Sequence, residues 1–175
     1  LQIAEPAVIA GWTDVPVVSN FRPSDHALGG TGAPLMQYLD WVLFRHLQTP
    51  LMTMNIGGIT SSTYLAGTGG HGGRDGILGF DTGPGNVMID FGMRALFGRG
   101  FDHDGEVAAS GSIDPALSVR LREHPFFTRV PPRSAWRLDF GADYAQSMID
   151  EFAHLPPQDV IATFTDFAGW ATVDS

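Results

Sequence analysis

Two β-rich runs, Leu51 to Ile56 and Ile59 to Leu65, are separated only by Gly57-Gly58. A two-residue glycine link between apolar, β-branched runs signals a hairpin, because glycine reaches the backbone angles that such tight links require. An antiparallel strand pair is therefore expected mid-chain. The glycine-rich segment 66–76 (AGTGGHGGRDG) follows, then a third β-run at 77–80. A phosphate cradle needs a helix N-terminus after it, so this segment reads as a surface connection. Residues 80–86, FDTGPGN, then switch the period from strand to helix. Pro84 suits a first helical turn, and Val87, Ile89, Met93 and Leu96 continue at helical spacing.

Upstream, Pro6 and the apolar Ile3, Ala7, Val8 and Ile9 predict a short helix over 2–10. Residues 15–19 read as an interior strand. After Pro34, the residues Leu35, Leu39, Val42, Leu43 and Leu47 share one helical face, which predicts a helix ending between His46 and Pro50. Downstream, helices are expected over 106–110, 115–123 and 144–154 and from Val160 onward, with Pro131-Pro132 and Pro156-Pro157 as punctuation. Leu1 and Ser175 read as cut edges of a longer chain.

Composition narrows the chemistry. With 175 residues, 43% hydrophobic and 17% charged, the chain is expected to pack a globular core. All 10 basic residues are arginine, so a lysine-bearing phosphate loop and Schiff-base catalysis are excluded. The absence of cysteine excludes disulfides, thiolate metal sites and cysteine nucleophiles, and fits a reducing compartment. A net charge of -9 argues against nucleic-acid or anionic-membrane partners. No apolar run approaches a membrane span and no signal peptide is visible.

Two aspartates could carry chemistry. Asp25 lies in NFRPSDHALGGTGAPL (20–35), where glycines let backbone approach a ligand closely. It reads equally well as a catalytic carboxylate at a strand mouth or as a turn aspartate bonding its own backbone. Asp81 ends a strand beside glycines at a helix start, where amides and the helix dipole favour anions; a simple capping role is the alternative. DTG also suggests an aspartic protease, but that chemistry needs two carboxylates sharing a proton. One DTG exists, so only a homodimer would serve, and this remains a remote alternative. Asn55-Ile56-Gly57-Gly58 offers turn amides to a phosphate or is an ordinary hairpin. Asp102-His103-Asp104-Gly105 has too few ligands for a calcium loop and reads as a turn with a helix cap. The six histidines form no HExxH pair.

The motifs NFRPSDHALGGTGAPL, MNIGGI, FDTGPGN, FDHDG, HPFF and PPRS, in that order, resemble the anhydro-N-acetylmuramic acid kinase family, whose pattern the levoglucosan kinases share. The resemblance implies an α/β fold of the actin/Hsp70/hexokinase (ribonuclease H-like) type, here incomplete, with a mixed sheet and flanking helices. The first lobe would end at about residue 50 and the second would occupy about 51–175. It implies a cytoplasmic, homodimeric enzyme of peptidoglycan recycling that uses ATP and Mg²⁺. Water opens the 1,6-anhydro bridge of anhydro-N-acetylmuramic acid and O6 is phosphorylated, giving N-acetylmuramic acid 6-phosphate. By the same resemblance Asp25 is the general base, Arg22, Asp81, Gly83 and Asn86 bind the sugar, and Asn55, Gly57, Gly58 and Gly85 face the nucleotide phosphates. The pattern departs at Asn20, where the family has aspartate, at Thr31, where it has glutamine, at Thr60-Ser61, where it has Ala-Asn, and at 133–138, where Lys-Ser-Thr-Gly-Arg-Glu has become RSAWRL. The family's N-terminal phosphate motif and C-terminal adenosine motif have no match in the chain, so the chain by itself is expected to be inactive. A levoglucosan-type kinase and a truncated, non-catalytic family member are the alternatives.

Overall fold

The computed structural model describes residues 5–67 and 74–174. The chain divides into two compact units, Leu1–Ala33 and Pro34–Ser175.

In the first unit, helix α1 (Pro6–Thr13) begins where Glu5 accepts a hydrogen bond from the Ala7 amide at 3.1 Å, and it stops at Asp14, whose φ of 53° breaks the helix. The start of the expected helix, 2–4, lies outside the described residues. The strand expected over 15–19 does not form: this stretch is irregular, with Val15 57% and Val18 76% exposed. A strand needs a ladder partner for its amides and carbonyls, and the described residues of this unit contain no second strand. Helix α2 (Arg22–Ala27) takes the place of the expected turn, with Pro23 in its first turn.

The second unit carries the sheet. Strands β1 (Leu51–Ile56), β2 (Ile59–Leu65) and β3 (Ile77–Pro84) lie in the order β1-β2-β3. Gly57-Gly58 closes the expected hairpin, with Ile56 opposite Thr60. Every pairing among the described residues is antiparallel, so the sheet is not mixed as expected. Of the glycine-rich segment 66–76, residues 68–73 lie outside the described residues. Strand β3 runs past Phe80 to Pro84, and helix α4 (Asn86–Phe97) starts after Gly85. Pro84 thus ends the strand and does not enter the helix. The β2–β3 register shifts here: Thr60 faces Gly83 and Ser61 faces Asp81. Thr82 is left unopposed, a bulge that re-aims the strand end.

Helix α3 (Gln37–Phe44) is shorter than expected and turned differently. Its Asp40 carboxylate accepts from the Thr53 hydroxyl of β1 at 2.8 Å, and Gln37 lies against Gly79 of β3. The face toward the sheet is therefore Gln37, Asp40, Trp41 and Phe44. Leu35, Leu39, Val42 and Leu43 stay exposed.

The rest is helical: α5 (Glu106–Ser110), α6 (Pro115–Arg122), α7 (Arg137–Phe140), α8 (Ala142–Glu151) and α9 (Pro157–Val173). Proline begins α6 and α9, where its missing N–H costs nothing. Asp114 caps α6 by accepting from the Leu117 amide at 2.8 Å. Asp102 accepts from the Val107 and Ala108 amides at 2.9 Å each, which is the capping role expected for that turn. Helix α9 is the centre of the layer: its buried Val160, Ile161, Phe164, Phe167 and Ala171 pack against α4, α5, α6 and β3. Phe126, Phe140, Phe164 and Phe167 are almost wholly buried. Edge-to-face contacts link Phe126 to Phe140 at 5.2 Å and Phe127 to Phe167 at 5.6 Å. No described helix is long and apolar enough to cross a membrane.

Candidate functional site

Asp25 sits in α2, and the chain folds back over it. Its own carbonyl accepts from the Gly30 amide at 2.8 Å, and Gly29 takes a φ of 86° to make that turn. The returning strand of the loop then meets the side chain: the Gly32 amide donates to Asp25 Oδ2 at 2.6 Å. Asp25 Oδ1 makes no hydrogen bond among the described residues. A side chain at Gly30 would overlap the carboxylate, which is the close approach that only glycine allows here. Arg22 donates to the Gly32 carbonyl at 3.0 Å, and His26 Nδ1 lies 3.2 Å from the Gly30 carbonyl. The half-buried carboxylate is thus a loop anchor with one oxygen uncommitted. No strand leads into it, so its setting is a helix and its return loop.

In the second unit, the hairpin tip and the start of α4 dock backbone to backbone. The amides of Gly85 and Val87 donate to the Gly58 carbonyl at 2.9 and 3.1 Å, and the Asn86 amide donates to the Gly57 carbonyl at 2.8 Å. This brings Gly57, Gly58, Gly85 and Asn86 together. It also means that the first amides of the helix point at protein carbonyls, where the sequence suggested an anion. A Cβ at Gly85 would overlap the Gly57 carbonyl oxygen. The side chains of Asn55 and Asn86 are exposed on this assembly.

Asp81 lies behind the bulge and is only 7% exposed. It caps no helix. Its Oδ2 accepts from the Ala135 amide at 2.8 Å, and its own amide donates to the Arg133 carbonyl at 2.8 Å. Burial pushes its carboxyl above the usual 3.8, and the Ala135 N–H pulls the other way. Thr82 donates to the Thr60 carbonyl at 3.3 Å across the bulge. Gly83 packs inward: a Cβ there would lie 2.8 Å from Ala171 Cβ of α9.

In the sequence, segment 133–138 stands out only as a departure from the family pattern. In the structure it is the segment that brackets Asp81. Arg133 is buried, its pKa lowered by burial and by the Arg129 charge. Beyond it, the Asp139 carboxylate accepts from Arg129 at 2.8 Å and from the Trp136 amide at 2.7 Å, and so holds the segment in place. Asp81 and Arg133 are 52 residues apart in sequence, so no local spacing could announce the pair. The bulge, set by cross-strand register, was equally invisible.

The family model for anhydro-N-acetylmuramic acid kinase matches residues 1–175. The anhydro-N-acetylmuramic acid kinase of Shewanella putrefaciens is 40% identical over 166 residues, covering 95% of this chain and 44% of that protein. That of Clostridioides difficile is 40% identical over 171 residues, covering 98% and 44%. That of Gloeobacter violaceus is 40% identical over 166 residues, covering 95% and 43%. The chain spans less than half the length of these curated relatives.

Proposed function

The chain belongs to the anhydro-N-acetylmuramic acid kinase family, and on that premise we propose that the whole protein is an ATP-dependent 1,6-anhydrosugar kinase of the actin/Hsp70/hexokinase fold. Its substrate is anhydro-N-acetylmuramic acid released during peptidoglycan recycling in the cytoplasm. Water attacks the anomeric carbon, the 1,6-bridge opens, and the freed O6 takes the γ-phosphoryl group of ATP.

The observation that carries this reading is Asp25. One carboxylate oxygen is pinned by the Gly32 amide at 2.6 Å, which fixes the group's direction while the other oxygen can take a proton from water. A base so placed contributes about 10²–10⁴-fold. Phosphoryl transfer itself asks mainly for positioning and charge stabilisation. Asp81 and Asn86 hold sugar hydroxyls, and the docked tip of Asn55, Gly57, Gly58 and Gly85 shapes the approach of the phosphates. With the α4 amides engaged by the hairpin, the helix field rather than a row of donors favours the anion there. Among the described residues no three His, Asp or Glu side chains converge on a metal position. Mg²⁺ fits as a companion of the ATP phosphates, which are its usual carriers in kinases.

The test is ATP consumption by the whole protein with anhydro-N-acetylmuramic acid and with levoglucosan. The expected result is a 6-phosphate formed from the first sugar, with kcat falling about 10²–10⁴-fold in Asp25→Asn at little change in sugar KM. Turnover only of levoglucosan would reassign the substrate. A folded protein inert toward both, or an Asp25→Asn variant as fast as its parent, would overturn the reading.

A further inference from the structure

Among the described residues one cation is buried, Arg133, at 8% exposed. Burying a charge is costly unless it is held by several partners. Its guanidinium carbon lies over the Phe126 ring, 4.5 Å from the centroid. It donates to the Arg129 carbonyl at 2.8 Å and to the carbonyls of Asp81 and Thr82 at 3.3 Å each. The last two are consecutive residues of the bulged strand end. In return the Asp81 amide donates to the Arg133 carbonyl, and the Ala135 amide, two residues on, donates to the Asp81 carboxylate. The segment therefore grips Asp81 at its amide, its carbonyl and its side chain. A bulge is where a ladder is weakest and a side chain is freest to re-aim, and this is where the grip falls.

We propose that Arg133 is a positioning residue: its planar fork spans the two carbonyls of the bulge and so sets the direction of the Asp81 carboxylate toward the sugar. The inference rests on the reading of Asp81 as a sugar-binding group. Arginine suits the role because one rigid fork sits over Phe126 and bridges two acceptors at once, which a lysine ammonium cannot do.

Steady-state kinetics of the whole protein test it, with sugar and ATP varied separately. Arg133→Met should raise the sugar KM about tenfold and leave the ATP KM within about twofold, since only the sugar contact is mis-aimed. A merely structural role would move both. The Asp81→Asn/Arg133→Met double variant should be no worse for sugar than Asp81→Asn alone, because the two act as one unit. Arg133→Lys, which keeps the charge but reaches one carbonyl at a time, should fall between parent and Met at about threefold in sugar KM; it decides the matter if the Met variant fails to fold. An unchanged sugar KM in Arg133→Lys and Arg133→Met, equal shifts in both KM values, or full additivity would overturn the inference while leaving Asp81 a sugar ligand. An unchanged sugar KM in Asp81→Asn would instead remove the reading of Asp81, and this inference with it.

Discussion

The two candidate carboxylates are held in opposite ways. Asp25 is gripped by its own neighbourhood: its partners Gly30 and Gly32 lie five and seven residues on, in the same loop. Asp81 is gripped by a segment 54 residues away, behind a bulge and under a layer of helices. The first arrangement leaves a half-buried acid; the second buries the acid and raises its pKa. A locally held group can be moved without unfolding anything. A group held by tertiary contacts shares its fate with the core around it.

Asparagine substitutions should separate the two most strongly. Asp25→Asn is expected to lower kcat about 10²–10⁴-fold, since it removes the base. Asp81→Asn keeps the shape and one acceptor oxygen, so its loss should appear in the sugar KM, at about tenfold or more. Equal effects on kcat from both would erase the distinction.

Glycine substitutions break the comparison at the level of folding. At Gly85 an added Cβ meets the Gly57 carbonyl oxygen, which is backbone and cannot swing aside. Gly85→Ala should cost about 3 kcal/mol, read by chemical denaturation. At Gly30 the obstacle is the Asp25 carboxylate, a side chain that can rotate away. Gly30→Ala should therefore change stability by less than about 0.5 kcal/mol while lowering kcat about tenfold, through misplacement of the base. A large stability loss at Gly30 would mean that the Asp25 loop is not the independent device described.

How much of this was written in the sequence follows the same division. The hairpin at Gly57-Gly58 and the helices expected over 115–123 and from Val160 onward rest on local signals, and local reading found them. Asp25 and the glycines that surround it are equally local, and the structure shows the turn-bonded aspartate with one oxygen uncommitted. The apolar run 15–19 forms no strand: periodicity reports a side chain's preference for burial, and says nothing of whether a partner strand is present. The apolar stripe of α3 misled for the same reason; Asp40 and Gln37 found partners on the sheet, and the leucines did not. Asp81's partners, the bulge at Thr82 and the buried Arg133 depend on register and on distant chain, and no spacing rule carries them.

Titration gives a smaller, slower readout of the same contrast. The pKa of Asp81 is raised by burial, so the folded state holds its proton more tightly than the unfolded chain does. Stability from this group is fully present below the ordinary carboxylate value and declines as pH rises from there through the raised value. Asp81→Asn should flatten that decline in urea midpoints measured between about pH 4 and pH 7. His124 acts in the opposite sense over an overlapping range. Burial between Phe140 and Tyr144 lowers its pKa, with the Asp139 charge opposing. Its contribution is present above the ordinary imidazole value and is lost as pH falls below it. His124→Gln should remove that acid-side loss and leave the Asp81 decline in place, so the net fall in urea midpoint toward pH 7 becomes steeper.

The smallest effect is expected beside the bulge itself. The Thr60 hydroxyl is buried and makes no hydrogen bond among the described residues, while its carbonyl accepts from Thr82. A buried hydroxyl without a partner carries its desolvation cost with no return, so Thr60→Val should leave stability unchanged or raise it by up to about 1 kcal/mol. The carbonyl, the register and the bulge all survive that change. If Thr60→Val instead destabilises by about as much and raises the sugar KM as well, then the hydroxyl itself helps to shape the strand end, and the grip on Asp81 extends across the sheet from Arg133 to β2.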